Sequence, residues 1–242
     1  MSEQITNNLA LVEKIYKLQN SISTKQQCQL IEDIVSEGNS GEELLLDLLI
    51  DRRIINKLKV DYLDGFLFKV LNRTGFDSIK KKLDSYFKNG IIELNTSLTI
   101  DYQALQNLLA YQKFQEADRL TQVQLCQLAG IGEKKQRDWL YFTDIALLPS
   151  EDLYVIDLLW RIYSGGKFGF SIQRQIWLAN NCNWEKLWHK IGWKNEGISY
   201  RYPDEFIWNT NAPYGHLPLF NQLRGVQVLH ALFQHIIWSQ SV

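Results

Sequence analysis

Ser150-Glu151-Asp152-Leu153-Tyr154-Val155-Ile156-Asp157-Leu158-Leu159-Trp160-Arg161-Ile162-Tyr163-Ser164-Gly165-Gly166 reads as one amphipathic helix from end to end. Ser150 is suited to cap its start. Glu151 and Asp152 place negative charge in the first turn, where unpaired backbone N–H groups point outward. Val155, Ile156, Leu159, Trp160 and Ile162 recur at near-helical spacing, and Gly165-Gly166 closes the helix because glycine takes the left-handed backbone without strain. The same pattern extends in both directions. Upstream, a helix begins near Asp101 with Leu105, Leu108 and Leu109 on one face. Phe114, Ala117, Leu120, Leu125 and Leu128 carry a second, which stops at Gly130. Downstream, Ser171 is placed to cap a helix holding Ile172, Ile176 and Trp177. Trp184, Leu187 and Trp188 mark a short one, and Leu219 to Trp238 reads as a long one. No period-two alternation competes, so the expected class is all-α.

The first ninety residues show apolar stripes of the same period. Leu9, Leu11, Ile15, Tyr16 and Leu18 form the first, and Leu30, Ile31, Ile34 and Val35 the second. Gly38-Asn39-Ser40-Gly41 reads as a breaker. Leu44, Leu45, Leu48 and Leu49 follow, then Leu63, Phe66, Leu67 and Val70, then Phe76, Ile79, Leu83 and Phe87. Short paired helices of this kind suggest a small helical-repeat-like bundle, although no strict sequence repeat is visible. Lys88-Asn89-Gly90 ends it. All eight tryptophans lie at or after Trp139, and that shift in composition argues for two domains with different tasks. The expected division is a bundle over 1–90, an extended connector over 91–98 and a larger helical domain over 99–242.

Within the larger domain, regularity stops from about Gly192 to Pro218. This stretch holds Trp193, Tyr200, Arg201, Tyr202, Pro203, Phe206, Trp208, Pro213 and Tyr214. Disordered segments are poor in aromatics, so a long ordered loop is expected, with rings that bury against something.

Composition narrows the function classes. A net charge of −1 carries no global footprint for nucleic acid or an anionic membrane. No run approaches the roughly 20 apolar residues of a membrane span. Met1-Ser2-Glu3-Gln4 opens neither a secretory signal nor an Arg-rich transit peptide, so the expectation is a protein that works where it is made, or one whose upstream segment is missing. Cys28, Cys126 and Cys182 are odd in number and far apart, which suits a reducing compartment and neither a disulfide framework nor a zinc site.

Two motifs invite other answers. Leu128-Ala129-Gly130-Ile131-Gly132-Glu133-Lys134-Lys135 resembles the helix-hairpin-helix turn that holds DNA phosphates. It lacks the Walker spacing and a preceding strand, and a helix-to-helix turn is the simpler reading. Gly165-Gly166-Lys167-Phe168-Gly169 is likewise a cap and a bend. His189, His216, His230 and His235 include no i, i+4 pair for a metal. No catalytic triad or nucleophile elbow appears, which lowers the case for an enzyme.

The C-terminal two thirds resemble the genomes-uncoupled family of tetrapyrrole-binding regulators of magnesium chelatase. The matching pieces run in order: Leu105-x-x-Leu108-Leu109, Phe114-x-x-Ala117-Asp118-x-x-Thr121, Leu125-Cys126-x-Leu128-Ala129-Gly130 and Arg137-x-Trp139-Leu140-Tyr141-Phe142-Thr143. Next come Asp152-Leu153, Leu159-Trp160, Gly166-x-Phe168-Gly169-Phe170-Ser171 and Gln173-Arg174-x-Ile176-Trp177-Leu178. Ile191-Gly192-Trp193-Lys194, Ala212-Pro213, Gly215-His216-Leu217-Pro218 and Asn221-Gln222-Leu223-Arg224-Gly225-Val226 complete the series. The N-terminal bundle looks like the helical extension of the family's cyanobacterial-type members.

The resemblance implies a non-enzymatic carrier and activator. It would bind protoporphyrin IX and Mg-protoporphyrin IX without covalent attachment and without a metal site of its own. Its partner would be the large porphyrin-binding subunit of magnesium chelatase, with no nucleic acid and at most peripheral membrane association. A porphyrin is a flat apolar plate with two propionates on one edge. Trp193, Tyr202, Phe206 and Trp208 offer wall material for its face, with Phe142 and Ile145 as an opposite wall. Arg201 and Arg224 are the propionate candidates, because a planar guanidinium matches a planar carboxylate. Tyr202 stands where some relatives carry Trp. Gln227 departs from those that carry a second Arg there, which predicts weaker pigment binding. A helical interaction scaffold without pigment and a nucleic-acid module on the Gly130–Lys135 turn are the competing readings. The family's habitat and the Lys-, Asn- and Ile-rich composition point to the chloroplast stroma, with the cyanobacterial cytoplasm as the alternative.

Overall fold

The computed structural model describes residues 2–21, 23–131, 137–195, 197–219 and 226–239, and these are predominantly helical. The chain divides into two compact units, Met1–Ile92 and Glu93–Val242.

Unit 1 contains α1 (Ser2–Asn20), α2 (Thr24–Val35), α3 (Asn39–Ile50), a π-helical turn (Asp51–Ile55), α4 (Tyr62–Leu71) and α5 (Asp77–Phe87). Helix α3 is the central one, packing against each of the other four. Its Leu45, Leu46, Leu48 and Leu49 are buried, as the three-and-four spacing requires. Gly38-Asn39-Ser40-Gly41 is not a break throughout. Gly38 turns the chain with a positive φ, but α3 already begins at Asn39. Gly41 is helical, and a Cβ on it would lie 1.9 Å from the Ile34 carbonyl oxygen. Its missing side chain lets the end of α2 approach α3. Helix α4 starts on a reciprocal cap. Asp61 accepts from the Leu63 and Asp64 N–H groups, and the Asp64 carboxylate accepts back from Asp61 N–H at 2.9 Å. Arg52 from the π-helical turn spans both carboxylates, at 2.7 Å to Asp64 and 2.8 Å to Asp61.

Ile91 and Ile92 are buried. The stretch after them is not extended throughout, since Asn95 to Leu98 closes a turn on the Asn95 carbonyl.

Unit 2 contains α6 (Gln103–Ala110), α7 (Phe114–Leu128), a 3-10 turn (Ile145–Leu147), α8 (Ser150–Tyr163), α9 (Phe170–Ala179), α10 (Trp184–Lys190), α11 (Val226–Phe233) and a final 3-10 turn (Ile236–Ser239). A two-residue antiparallel pair, β1 (Lys194–Asn195) with β2 (Ile198–Ser199), is the only sheet among the described residues. Phe114 of α7 and Trp160 of α8 stack at 6.0 Å, and Phe168 meets Phe114 edge-on at 5.3 Å. The Trp160 indole N–H donates to the Thr121 hydroxyl at 3.0 Å, so this core ring leaves no buried donor stranded.

Both serine caps are corrected. Ser150 is already helical, Pro149 precedes it, and no side chain bonds at that cap. Asp152 in the first turn is committed elsewhere: it accepts from Thr99 N–H at 3.0 Å and from the Thr99 and Tyr102 hydroxyls at 2.8 Å. Ser171 lies inside the first turn of α9. Its N–H and hydroxyl both donate to Asp157 of α8 at 2.8 Å, so the capping carboxylate comes from the neighbouring helix. Asp157 also holds Arg161 at 2.7 Å.

The long helix expected over Leu219–Trp238 is corrected as well. Leu219 is not helical, and its N–H donates to the Asp118 carboxyl group. The described part of α11 has eight residues and ends at Phe233, and Trp238 lies in the 3-10 turn beyond it. The Gly132–Lys135 part of the phosphate-turn motif, and Arg224 with Gly225, lie outside the described residues. No described helix is long and apolar enough to cross a membrane.

Candidate functional site

The irregular segment from Gly192 to Leu219 is ordered by side chains that capture its backbone. His216 is buried between the two limbs. Its Nδ1 lies 2.7 Å from the Ile191 carbonyl oxygen, and its Nε2 accepts from Ile207 N–H at 3.1 Å. Its own carbonyl accepts the Trp193 indole N–H at 2.7 Å. Gln173 of α9 donates to the Gly215 and Pro218 carbonyls at 3.0 and 2.8 Å. Gly215 has a positive φ, and a Cβ there would meet Ile176 at 2.8 Å, so the turn needs glycine twice over. Asp118 of α7 takes Leu219 N–H at 2.6 Å. Burial pushes the Asp118 carboxyl up to about 8, against the smaller pull of that N–H and of Arg119.

These captures sort the sequence-predicted aromatics into two groups. Trp193 is 4% exposed and stacks on Trp188 at 5.4 Å. Phe206 is 5% exposed and lies 5.4 Å from the His216 ring. Tyr202, by contrast, is 44% exposed. It meets half-buried Trp208 edge-on at 5.9 Å, and the Trp208 indole N–H donates to the Pro203 carbonyl at 3.0 Å. The buried pair therefore supports the segment from beneath, while Tyr202 and Trp208 offer ring surface.

Arg201 is exposed next to Tyr202. Its backbone N–H donates to Glu205, and no described carboxylate pairs with its guanidinium. Arg119 of α7 donates to the Tyr202 hydroxyl at 3.2 Å, which puts a cation against that side chain.

The other predicted wall rests on a separate turn. Arg137 pairs with Asp144 at 2.7 Å and lies 4.4 Å from the centre of the Tyr141 ring. Asp144 also accepts Tyr141 N–H at 2.6 Å, and the guanidinium holds its carboxyl below the ordinary range. This turn leaves Phe142 52% exposed and Ile145 2% exposed. The 3-10 turn that follows packs against α11, which displays Gln227 on its exposed side.

Sequence reading passed over Arg119, Asp118, Gln173 and His216 as site builders. Three of them lie within quoted motif stretches, and Arg119 directly follows Asp118.

Comparison with known proteins fits this division. A GUN4-like family model matches residues 95–236, and an ARM-like repeat model of the GUN4 N-terminal type matches residues 5–88. The chain belongs to the GUN4 family. Among GUN4 relatives, the ycf53 protein of Pyropia yezoensis is 44% identical over 239 residues, covering 99% of both chains. A chloroplastic tetrapyrrole-binding protein of Arabidopsis thaliana is 38% identical over 143 residues, covering 55% of this chain and 54% of its own. The solved structure of GUN4 from Chlamydomonas reinhardtii superposes with a TM-score of 0.56 at 36% identity, covering 61% of this chain and 94% of that one. Membership of the GUN4 family makes this a non-catalytic protein.

Proposed function

We propose that unit 2 binds protoporphyrin IX and Mg-protoporphyrin IX reversibly and stimulates magnesium chelatase through its large porphyrin-binding subunit, making and breaking no bond itself. The observation that carries this reading is the GUN4-like match across residues 95–236, together with the tetrapyrrole-binding relative. The proposed setting is the chloroplast stroma, or the cytoplasm of a cyanobacterium.

In this reading Tyr202 and Trp208 meet one face of the macrocycle, with Trp193 and Phe206 holding them up. Phe142, with buried Ile145 behind it in the chain, meets the other. Arg201 and Arg224 take the propionates, and Gln227 adds an uncharged acceptor and donor. Arg119 joins this set, because its guanidinium already touches Tyr202. The chemistry suits the ligand: apolar ring surface for a flat plate, and planar cations for carboxylates. A wall carried on an exposed segment also suits a donor that must give its cargo up. Binding can shift the chelatase only through a difference in affinity between its states, so release matters as much as capture.

The test is a quenching titration of protein fluorescence with each porphyrin, followed by a chelatase assay. The wild type should bind both pigments and raise chelatase turnover. Tyr202→Ala with Trp208→Ala should weaken both effects together. A wild type that neither quenches nor changes porphyrin absorbance would leave the interaction-scaffold reading in its place.

A further inference from the structure

We propose that His216 is a positioning residue for the pigment wall, joining the two limbs of the Gly192–Leu219 segment only while its imidazole is neutral, so that porphyrin binding is sensitive to pH. This rests on the porphyrin reading above and adds to it the residue and the condition that keep the wall in place.

The argument starts from the two ring nitrogens. The Ile191 carbonyl has no proton to give, so the proton sits on His216 Nδ1, which donates to it. Nε2 is then bare and accepts from Ile207 N–H. Both bonds are satisfied by one neutral tautomer and by no other state of the ring. The ring lies against Phe206, and its Nε2 bond holds Ile207 beside Trp208; independently of the ring, the His216 backbone carbonyl accepts the Trp193 indole N–H. A second proton on Nε2 would set two donors face to face and break the Ile207 link.

Among the described residues no charged side chain bonds to the ring. Around it, the Lys167 ammonium donates to the Thr210 carbonyl, Lys194 pairs with Glu185, and Glu205 accepts from Arg201 N–H. Asp204, His189 and Lys190 are exposed. Tyr202 and Tyr214 are exposed too, and Tyr200 meets Phe206 edge-on. From α9, Arg174 donates to the Phe233 carbonyl, and from α7, Asp118 takes Leu219 N–H. Burial alone pushes the imidazole below its ordinary 6.5, with the Ile191 carbonyl opposing. The unfolded chain takes up this proton first on acidification. The stability that the neutral ring contributes is therefore complete above 6.5 and is lost as pH falls through its lower folded value.

The test uses the full chain and protoporphyrin IX, with the wild type, His216→Gln, His216→Asn and His216→Ala titrated at pH 7.5 and 5.5. Gln presents an acceptor where Nε2 lies and cannot be protonated. Asn keeps only the donor to Ile191. At pH 7.5, His216→Ala should lose roughly tenfold in affinity, His216→Asn nearly as much, and His216→Gln should recover most of it. Between pH 7.5 and 5.5 the wild type should lose roughly tenfold more than His216→Gln. The Gln variant cancels whatever the pigment's own propionates and self-association contribute. Equal pH slopes for wild type and His216→Gln overturn the proposal even if His216→Ala fails to fold. A wild type that binds at pH 7.5 while all three variants match it overturns this inference alone. A wild type that does not bind at pH 7.5 overturns the porphyrin reading and this inference with it.

Discussion

Helix α3 and the segment from Gly192 to Leu219 are both ordered, by opposite means. Helix α3 is held by Leu45, Leu46, Leu48 and Leu49, through burial that has no preferred direction. The segment is held by a few polar side chains, His216, Gln173 and Asp118, each reaching specific backbone groups. The first kind of order tolerates a change of shape if the volume is kept. The second tolerates a change of volume only if the donor or acceptor survives, because a lost partner strands a buried polar group.

Four tests break or sharpen that contrast. The largest effect is expected at Leu45→Ala, which should cost about 2–5 kcal/mol in a urea titration followed by circular dichroism, whereas Leu45→Met should cost less than about 1.5. Equal losses from both would mean that α3 depends on shape more than on buried area. Next is Gln173→Ala, which strands the Gly215 and Pro218 carbonyls at about 1–3 kcal/mol in all. Hydrogen exchange should quicken at the amides of Phe206, Ile207 and Trp193 and stay unchanged at those of α3. Uniform quickening would show that the segment is not held separately.

The third effect is a pH dependence. The folded chain keeps a proton on Asp118 up to about 8, while the unfolded chain releases it near 3.8. The stability from this group is therefore complete below 3.8 and declines as pH rises toward 8. Asp118→Asn keeps an acceptor for Leu219 N–H and should flatten that decline. Melting curves from pH 5 to 9 that stay parallel for the two proteins would contradict it. The smallest effects are at exposed positions: Arg201→Ala should weaken porphyrin binding and Gln227→Arg should strengthen it, each by up to about fivefold at low salt and less at high salt.

The helices were legible because periodicity is a local signal. Leu45, Leu48 and Leu49 of the expected stripe are buried, with Leu46 in place of half-buried Leu44, and the Gly165-Gly166 stop stands where the sequence put it. The caps were not, because Ser171 bonds to Asp157, fourteen residues back on another helix. Leu219 looked helical from its apolar neighbours, yet its N–H partner is Asp118, far away in sequence. The candidate walls were legible as residues but not as surfaces. Nothing local separates Trp193 and Phe206, which are buried, from Tyr202, which is not. His216 appeared as one histidine among four, and its role follows from two carbonyl and amide partners that no spacing rule connects. Only its setting in Gly215-His216-Leu217-Pro218 set it apart.

The captures fall at Trp193 on one side of the β1–β2 pair and from Phe206 to Leu219 on the other, so the pair itself is held differently from the chain that flanks it. Asn195, Ile198 and Ser199 are exposed, while Trp193 on one side and Phe206 on the other are locked into the unit. A protease that cuts at this pair should leave two fragments that migrate apart in denaturing gels yet elute together from a sizing column.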